Sequence, residues 1–207
     1  RPIGGESYTS YLEDAVQISA GGNWNSGTHA FAMVLKKDGS VLTWGSDSNG
    51  QLGIANTRGG NKLSPVRVVS VDEESVTTGL ENVVQISAGG ISGAVVHYEI
   101  DKDLTSKIED TTTGQEGYEE TYINHRAYTW GYNAQRQLGT GSTATKIESP
   151  VIVKTQVDGA VEGEKEEKIL DDVVEISAGM MHMHEQLMLI KIQPYILGEI
   201  MIMVKLV

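Results

Sequence analysis

The sequence predicts an all-β fold built from several copies of one unit of short strands. Two observations lead to this prediction: short motifs return in the same order along the chain, and glycine is abundant while proline is scarce, with 24 and 4 among 207 residues. Such a composition is typical of many short strands joined by turns. Motifs that recur at long intervals indicate repeats whose neighbours cover each other's apolar faces.

The first motif is Val-Gln-Ile-Ser-Ala-Gly, which begins at residues 16 and 84 and returns at residue 174 with glutamate in place of glutamine. Apolar and polar side chains alternate in it, and this predicts a half-buried strand. The copies end at Gly21, Gly89 and Gly179, and an acidic or amide pair precedes each of them. The unequal intervals predict loops of variable length on a constant frame.

Three further motifs each occur twice: Thr-Trp-Gly, then Gly-Gln-Leu-Gly (with arginine first in its second copy), then Ser-Pro-Val. We expect the tryptophans to pack in the core, and the glycines to form tight turns rather than bind phosphate, because no helix with a lysine follows them. The motif residues are Trp44, Gly45, Gly50, Gln51, Leu52, Gly53 and Pro65, and then Trp130, Gly131, Gln137, Leu138, Gly139 and Pro150.

A hairpin is predicted between the first two motifs. Residues 30–35 are an apolar run long enough for a buried strand, and residues 40–44 form the returning strand. Between them, Asp38-Gly39 is a preferred centre for a two-residue turn because both positions tolerate positive φ.

In this order the motifs resemble the regulator of chromosome condensation repeat, over residues 2 to about 179. The resemblance implies a β-propeller, typically of seven four-stranded blades around a channel. We therefore expect a β-propeller fragment of about two to three blades. Residues 1–15 would end a preceding repeat, 16–83 and 84–173 would form repeats one and two, and 174–207 would begin a third. Open blades expose apolar faces and edges, so the chain alone is expected to aggregate or stay partly molten.

Repeat two carries an acidic insertion at residues 99–126, where repeat one has its Asp-Gly turn. The insertion has eight acidic and three basic side chains, and residues 155–172 have seven acidic and two basic, so each has a net charge of −5. We expect solvated loops. The alternative is a site for a basic partner or a cation that also uses Glu116, Glu119 and Glu120. Its calcium candidates are Asp101, Asp103, Glu109 and Asp110, although the spacing lacks the glycine and glutamate of a helix–loop–helix calcium site.

Charge and residue usage exclude several classes of function. The net charge of −12 argues against nucleic acid, which needs clustered lysine and arginine. The absence of cysteine excludes disulfides, thiolate zinc sites and a cysteine nucleophile. No catalytic residue, cofactor or metal is assigned, and His29 and His97 are expected to be packing or surface residues. A long, acidic, cysteine-free chain favours an extracellular or bacterial cell-surface location, with the cytoplasm as the alternative.

The tail departs from the repeat after Gly179. Residues 180–207 are rich in methionine, isoleucine and leucine, but charges and a proline interrupt them too often for a membrane span of ~20 apolar residues. Shifting the reading frame near residues 180–185 restores a Tyr-Thr-Trp-Gly-Asp-Asn motif when degenerate bases are chosen freely. We therefore expect the tail to be out of frame and His182 and His184 to be accidental.

The function predicted from these observations is a protein-interaction scaffold rather than an enzyme, with a basic or cation-bridged partner. Guanine-nucleotide exchange on a small GTPase, for which the family is named, is one alternative, but no exchange motif can be carried over to these residues. A propeller-based hydrolase is another alternative, and it would need acid and base residues from several blades.

Overall fold

The chain is all-β in a computed structural model that describes residues 11–22, 29–55, 60–71, 77–109, 116–158, 165–180, 186–192 and 200–205. These residues form strands joined by turns and contain no helix, so none of their elements is a helix that could cross a membrane. The predicted fold class is confirmed, since consecutive strands pair into antiparallel sheets in the manner of propeller blades.

The first blade is a four-stranded sheet in which each strand pairs with the next one along the chain. Its strands are β1 (Ala15–Gly21), β2 (Phe31–Lys36), β3 (Val41–Gly45) and β4 (Lys62–Arg67). A turn joins β2 to β3 at the predicted place, but its centre is shifted by one residue: the amide of Gly39 donates to the Lys36 carbonyl at 3.0 Å, which makes Lys37 and Asp38 the central pair, and Asp38 does not have a positive φ. Gly39 has a φ of 75° there, and Asp38 Oδ1 accepts hydrogen bonds from the amide and hydroxyl of Ser40 at 3.0 and 2.6 Å.

Two small hairpins alternate with the remaining sheets. The first pairs β5 (Val69–Val71) with β6 (Thr77–Gly79). Blade two follows with β7 (Val83–Ala88), β8 (Ser92–Glu109), β9 (Glu116–Tyr132) and β10 (Lys146–Ile152). The second hairpin pairs β11 (Lys154–Asp158) with β12 (Lys165–Ile169), and the third sheet contains β13 (Val173–Met180), β14 (Gln186–Ile192) and β15 (Ile200–Lys205).

The acidic insertion is not the loop that the sequence suggested. Its backbone continues the pairing of β8 with β9, from Glu99 opposite Ile123 to Glu109 opposite Glu116, with one irregularity in register. We call residues 99–109 and 116–126 the ribbon. Pairing satisfies the backbone amides and carbonyls of a polar insertion without an apolar core. Much of the second acidic segment is likewise paired, in the hairpin β11–β12.

The tail also forms strands where its backbone is described. Gly179 pairs with Leu187 in the third sheet, as Gly21 pairs with Phe31 in the first. His182 and His184 lie outside the described residues. The frame hypothesis concerns the coding sequence, and it stays a prediction.

The acidic or amide pair before each first motif has a conformational role. Its second residue is left-handed at all three positions: φ is 59° at Asp14, 55° at Asn82 and 58° at Asp172. Aspartate and asparagine are enriched there because their short polar side chains offset part of the steric cost. Each pair therefore marks the entry turn of a blade.

Side chains of the first motif join consecutive blades. Gln17 Oε1 accepts from the amide of Ile86 at 2.9 Å, and Gln17 Nε2 donates to the Ile86 carbonyl at 3.0 Å. Ser19 Oγ accepts from the amide of Ala88 at 2.9 Å. We call this set of contacts the Gln/Ser clasp. The polar side of the strand thus meets the next blade rather than solvent.

The same clasp recurs at the second joint, between β7 and β13. Gln85 Oε1 accepts from the amide of Ile176, and Ser87 Oγ from that of Ala178, both at 2.9 Å. The glycine that ends each copy allows the close approach. A Cβ on Gly21 would lie only 1.8 Å from the carbonyl oxygen of Gly89.

The core lies between the blades. Trp130 is fully buried, and its indole Nε1 donates to the Gln51 carbonyl of blade one at 2.9 Å. Gly53 leaves room for this ring, because a Cβ there would come within 2.6 Å of the indole nitrogen. Of the two motif tryptophans, Trp130 is fully buried in the core as predicted, and Trp44 is buried only in part.

The Gly-Gln-Leu-Gly turns have the same internal bonding in both blades. In each, a threonine hydroxyl donates to the leucine carbonyl, and an aspartate or asparagine oxygen accepts from the leucine amide. The first turn uses Thr43, Leu52 and Asp47, and the second uses Thr129, Leu138 and Asn133. Pro65 and Pro150 lie in the outer strands at irregularities of register, where a missing amide donor costs little.

Candidate interaction surface

The base of the ribbon is a partly buried cluster of polar and aromatic side chains on blade two. Arg126 stands at its centre. Its Nη1 donates to Glu99 Oε1 at 2.5 Å, across the ribbon, and its Nε donates to Asp171 Oδ1 at 2.7 Å, on the entry turn of the third sheet. Asn124 Nδ2 donates to the other Glu99 oxygen at 2.7 Å. Arg126 therefore links the two strands of the ribbon to each other and to the entry turn of the third sheet.

These contacts stabilise the charged form of Arg126. The hydrogen bond to Asp171 raises the pKa of the guanidinium, and the negative charges of Glu99 and Asp171 add to this effect. Its side chain is only 20% exposed, so water weakens the ion pairs less than it would at the surface. The arginine therefore keeps its charge and holds the base of the ribbon at any ordinary pH.

Backbone hydrogen bonds bring the base of the hairpin β11–β12 close to the base of the ribbon. We call this part of blade two, around Arg126, Val153 and Asp171, the acidic corner. The amide of Val153, just before β11, donates to the Ala127 carbonyl at 2.8 Å. The amide of Leu170, just after β12, donates to the Val153 carbonyl at 3.1 Å. The base of the ribbon and the base of the hairpin β11–β12 are therefore in direct contact.

Two ionisable rings lie beside the arginine. His97 and Tyr128 meet edge to face with ring centroids 5.3 Å apart. Burial lowers the pKa of His97, and it raises the pKa of the Tyr128 hydroxyl. His97 Nδ1 is buried and has no hydrogen-bond partner among the described residues. This histidine is a packing residue, as the sequence suggested, and its burial favours the neutral form of the ring.

The two acidic segments give this corner a strong charge. Each has a net charge of −5, out of −12 for the whole chain. The described side chains of β12 are all exposed, and Glu167 forms an exposed ion pair with Lys154 at 3.1 Å. Most of the net negative charge of the chain therefore belongs to two segments whose bases lie close together on blade two.

The calcium candidates fall on the ribbon. The backbone of Asp101, Asp103 and Glu109 is described as strand, but their side chains lie outside the described part, and Asp110 lies outside it entirely. Among the described residues no group of three or more histidine, aspartate or glutamate side chains could hold a metal ion. The calcium hypothesis stays a prediction, and a melting shift in millimolar calcium would test it.

The sequence did not reveal the importance of Arg126 or Asp171. They are 45 residues apart and meet only through the packing of blades. One feature of the sequence could have drawn attention to these two residues. Asp171 belongs to the acidic pair that precedes a first motif, and Arg126 is the basic residue that closes the insertion.

A protein-family model and several solved structures are similar to this chain. The model of the regulator of chromosome condensation (RCC1) repeat matches residues 38–96 and 124–183, more than half of the chain. Among solved structures, human WBSCR16 is similar at 15% identity over 94% of this chain and 39% of its own, with a TM-score of 0.47.

Two yeast structures are also similar. Prp20p from Saccharomyces cerevisiae, described with its binding properties to Gsp1p and histones, shares 18% identity over 70% of this chain and 39% of its own, with a TM-score of 0.29. Yeast RCC1 (Prp20) bound to Kap60 shares 18% identity over 81% of this chain and 41% of its own, with a TM-score of 0.25. The chain spans about two fifths of the length of each of these proteins.

Proposed function

Because the chain belongs to the RCC1 repeat family, we propose that it is a protein-interaction scaffold whose acidic corner on blade two binds a basic protein partner. The observation that carries the proposal is the junction at Arg126, which holds the ribbon and the entry turn beside β12 together. Charge complementarity of this kind accelerates association and selects partners.

A rigid base makes the two hairpins suitable for binding. A flexible acidic loop loses conformational entropy when it meets a partner, and this weakens the complex. The paired backbone of the ribbon and of β11–β12 removes part of that cost in advance. The backbone that carries these acidic residues is then already paired before the partner arrives.

The test uses a fluorescent decalysine peptide as a probe of basic partners, measured by anisotropy. We expect binding that weakens about tenfold between low and high salt because exposed charges are screened. The double variant Glu166→Gln/Glu167→Gln should weaken it severalfold. The control Glu13→Gln/Glu148→Gln removes the same charge, including one carboxylate paired with a lysine, away from the acidic hairpins. Equal losses in the two variants would contradict a site at this corner.

We also propose an extracellular or bacterial cell-surface location, from the acidity of the chain and its lack of cysteine. Removal of the protein by protease added to intact cells of its source would support this. Protection until the cells are lysed would contradict it. The exchange-factor and hydrolase hypotheses rest on no contact among the described residues, and we do not propose them.

A further inference from the structure

The first strand of each repeat begins with a β-bulge. Its pairing with the second strand shifts there by one residue, and the extra residue is Val16, Val84 or Val174. We call these three residues the bulge valines. A bulge redirects a side chain, and bulges are frequent next to functional sites. The same local geometry therefore sets an aliphatic side chain apart from the regular pairing three times.

The bulge valines are exposed to solvent. Val16 is 60% exposed, Val84 50% and Val174 44%, whereas Val83, immediately before the middle copy, is 3% exposed. Val84 is the informative copy, because blade one and the third sheet cover β7 on both sides and leave Ile86 only 2% exposed. The exposure of Val84 therefore comes from the bulge and not from an end of the chain.

Two of the bulge valines lie beside the acidic corner. Val84 follows the residue that pairs with His97 at the base of the ribbon. Val174 comes three residues after Asp171, whose carboxylate accepts a hydrogen bond from Arg126. Exposed apolar surface and negative charge are therefore neighbours in this part of the molecule.

We propose that the acidic corner binds a basic protein segment that also carries aliphatic side chains, and that these side chains pack on Val84 and Val174. The inference rests on the proposed function and specifies the chemistry of the partner. Charge attracts any basic segment over a long distance. Burial of the two valines adds an apolar contact, which only a segment with aliphatic side chains can supply.

Charge also selects this occupant among those that could cover the valines. A second copy of the chain has the same net charge of −12, and anionic membrane surfaces carry charge of the same sign, so repulsion disfavours both. A basic segment instead places its lysine or arginine side chains near the two acidic segments, each with a net charge of −5. Its aliphatic side chains then reach the valines beside them.

Two fluorescent peptides of equal charge test the inference: decalysine with two lysines replaced by leucine, and decalysine with the same two replaced by serine. In anisotropy measurements, we expect the leucine peptide to bind the natural chain about tenfold more tightly than the serine peptide. This preference should persist at high salt, because burial of apolar surface is not screened as ion pairs are.

The variant Val84→Thr/Val174→Thr keeps the branched shape of both side chains and should reduce the preference to about twofold or less. The control Leu63→Thr removes a leucine that is 98% exposed on β4 of blade one, and it should leave the preference unchanged. Thermal unfolding of the three chains checks that all of them are folded.

Equal affinity of the natural chain for the two peptides would overturn the inference. So would a preference that survives in Val84→Thr/Val174→Thr, or one that falls equally in Leu63→Thr. These outcomes leave the proposed function intact if the serine peptide still binds and Glu166→Gln/Glu167→Gln weakens its binding. If neither peptide binds, the acidic corner is not a site for basic partners, and both proposals fail.

Discussion

Blade one and blade two have the same motifs but very different burial. Ile18 is 69% exposed where Ile86 is 2% exposed, and Trp44 is partly buried where Trp130 is fully buried. The order of strand pairing and the Gly-Gln-Leu-Gly turns are alike in the two sheets, although blade two has the ribbon where blade one has the Asp38-Gly39 turn. The difference comes from position, since blade two packs between blade one and the third sheet. A blade's core is therefore completed by its neighbours, as in other repeat folds.

The two tryptophans give the largest expected contrast. Trp130→Ala should cost about 3–5 kcal/mol of the free energy of unfolding, because it leaves a cavity between the blades and removes the bond to the Gln51 carbonyl. Trp44→Ala should cost less than half as much. Urea unfolding at low protein concentration measures both, and equal losses would show that burial by the neighbouring blade does not decide the contribution of the ring.

The clasp serines test the same idea with a smaller change. Ser87→Ala removes the acceptor for the amide of Ala178 at a partly buried joint and should cost about 1 kcal/mol of unfolding free energy. Ser177→Ala, at the exposed edge, should stay within about 0.5 kcal/mol. The two variants have identical chemistry, so only the neighbouring blade distinguishes them. Comparable losses at both positions would contradict a stabilising role for the clasp.

The third contrast concerns one turn position that is Gly50 in blade one and Arg136 in blade two. Both are left-handed, with φ of 74° and 62°. Gly50→Ala should destabilise by about 1–2 kcal/mol, since its Cβ would lie 2.9 Å from Glu148 Cγ as well as being strained. Arg136→Gly relieves strain but removes a hydrogen bond to the Thr143 carbonyl, so its net effect should be below about 1 kcal/mol. Thermal unfolding of both variants measures the difference, and a tolerated Gly50→Ala would refute the close packing.

Local signals predicted the parts of the fold that depend on neighbours in sequence. The hairpin that contains Asp38-Gly39 is within one residue of where the turn chemistry placed it, and the alternating first motif forms strands. The ribbon was missed because its two halves are mostly charged and polar, so no apolar alternation indicated that they pair with each other. The clasp was missed for a different reason: Gln17 and Ile86 are 69 residues apart, and only the packing of blades makes them partners.

The candidate site was harder to predict than the fold. The acidity of residues 99–126 could be counted, and its position at the Asp-Gly turn followed from alignment of the repeats. The contact of Arg126 with Asp171 depends on how two blades pack, and no periodicity encodes it. Charge composition therefore motivates the proposal of a basic partner, while the position of the acidic segments on blade two could be seen only in the structure.

The smallest expected effect is a contribution of blade two, through His97, to the pH dependence of the stability of the chain. His97 pairs with Val83 in blade two, where blade one has Lys36 opposite Ala15. Burial lowers the pKa of His97 in the folded state, so the unfolded chain binds its proton more tightly. The stabilisation by the neutral ring is present above a pH of about 6.5 and is lost as pH falls through the lower folded value. Among the described residues, the ionisable groups around this ring are Tyr98, Glu99, Arg126 and Tyr128.

We expect the melting temperature of the natural chain to fall as pH decreases from about 7 to 5. His97→Phe should flatten this slope, because the ring keeps its packing against Tyr128 and loses its titration. His29→Gln replaces a histidine at the exposed hydrogen bond to Ser48 in blade one and should leave the slope unchanged. If the two variants flatten the slope equally, burial in blade two is not its cause. If neither changes it, carboxylates rather than His97 determine the loss of stability in acid.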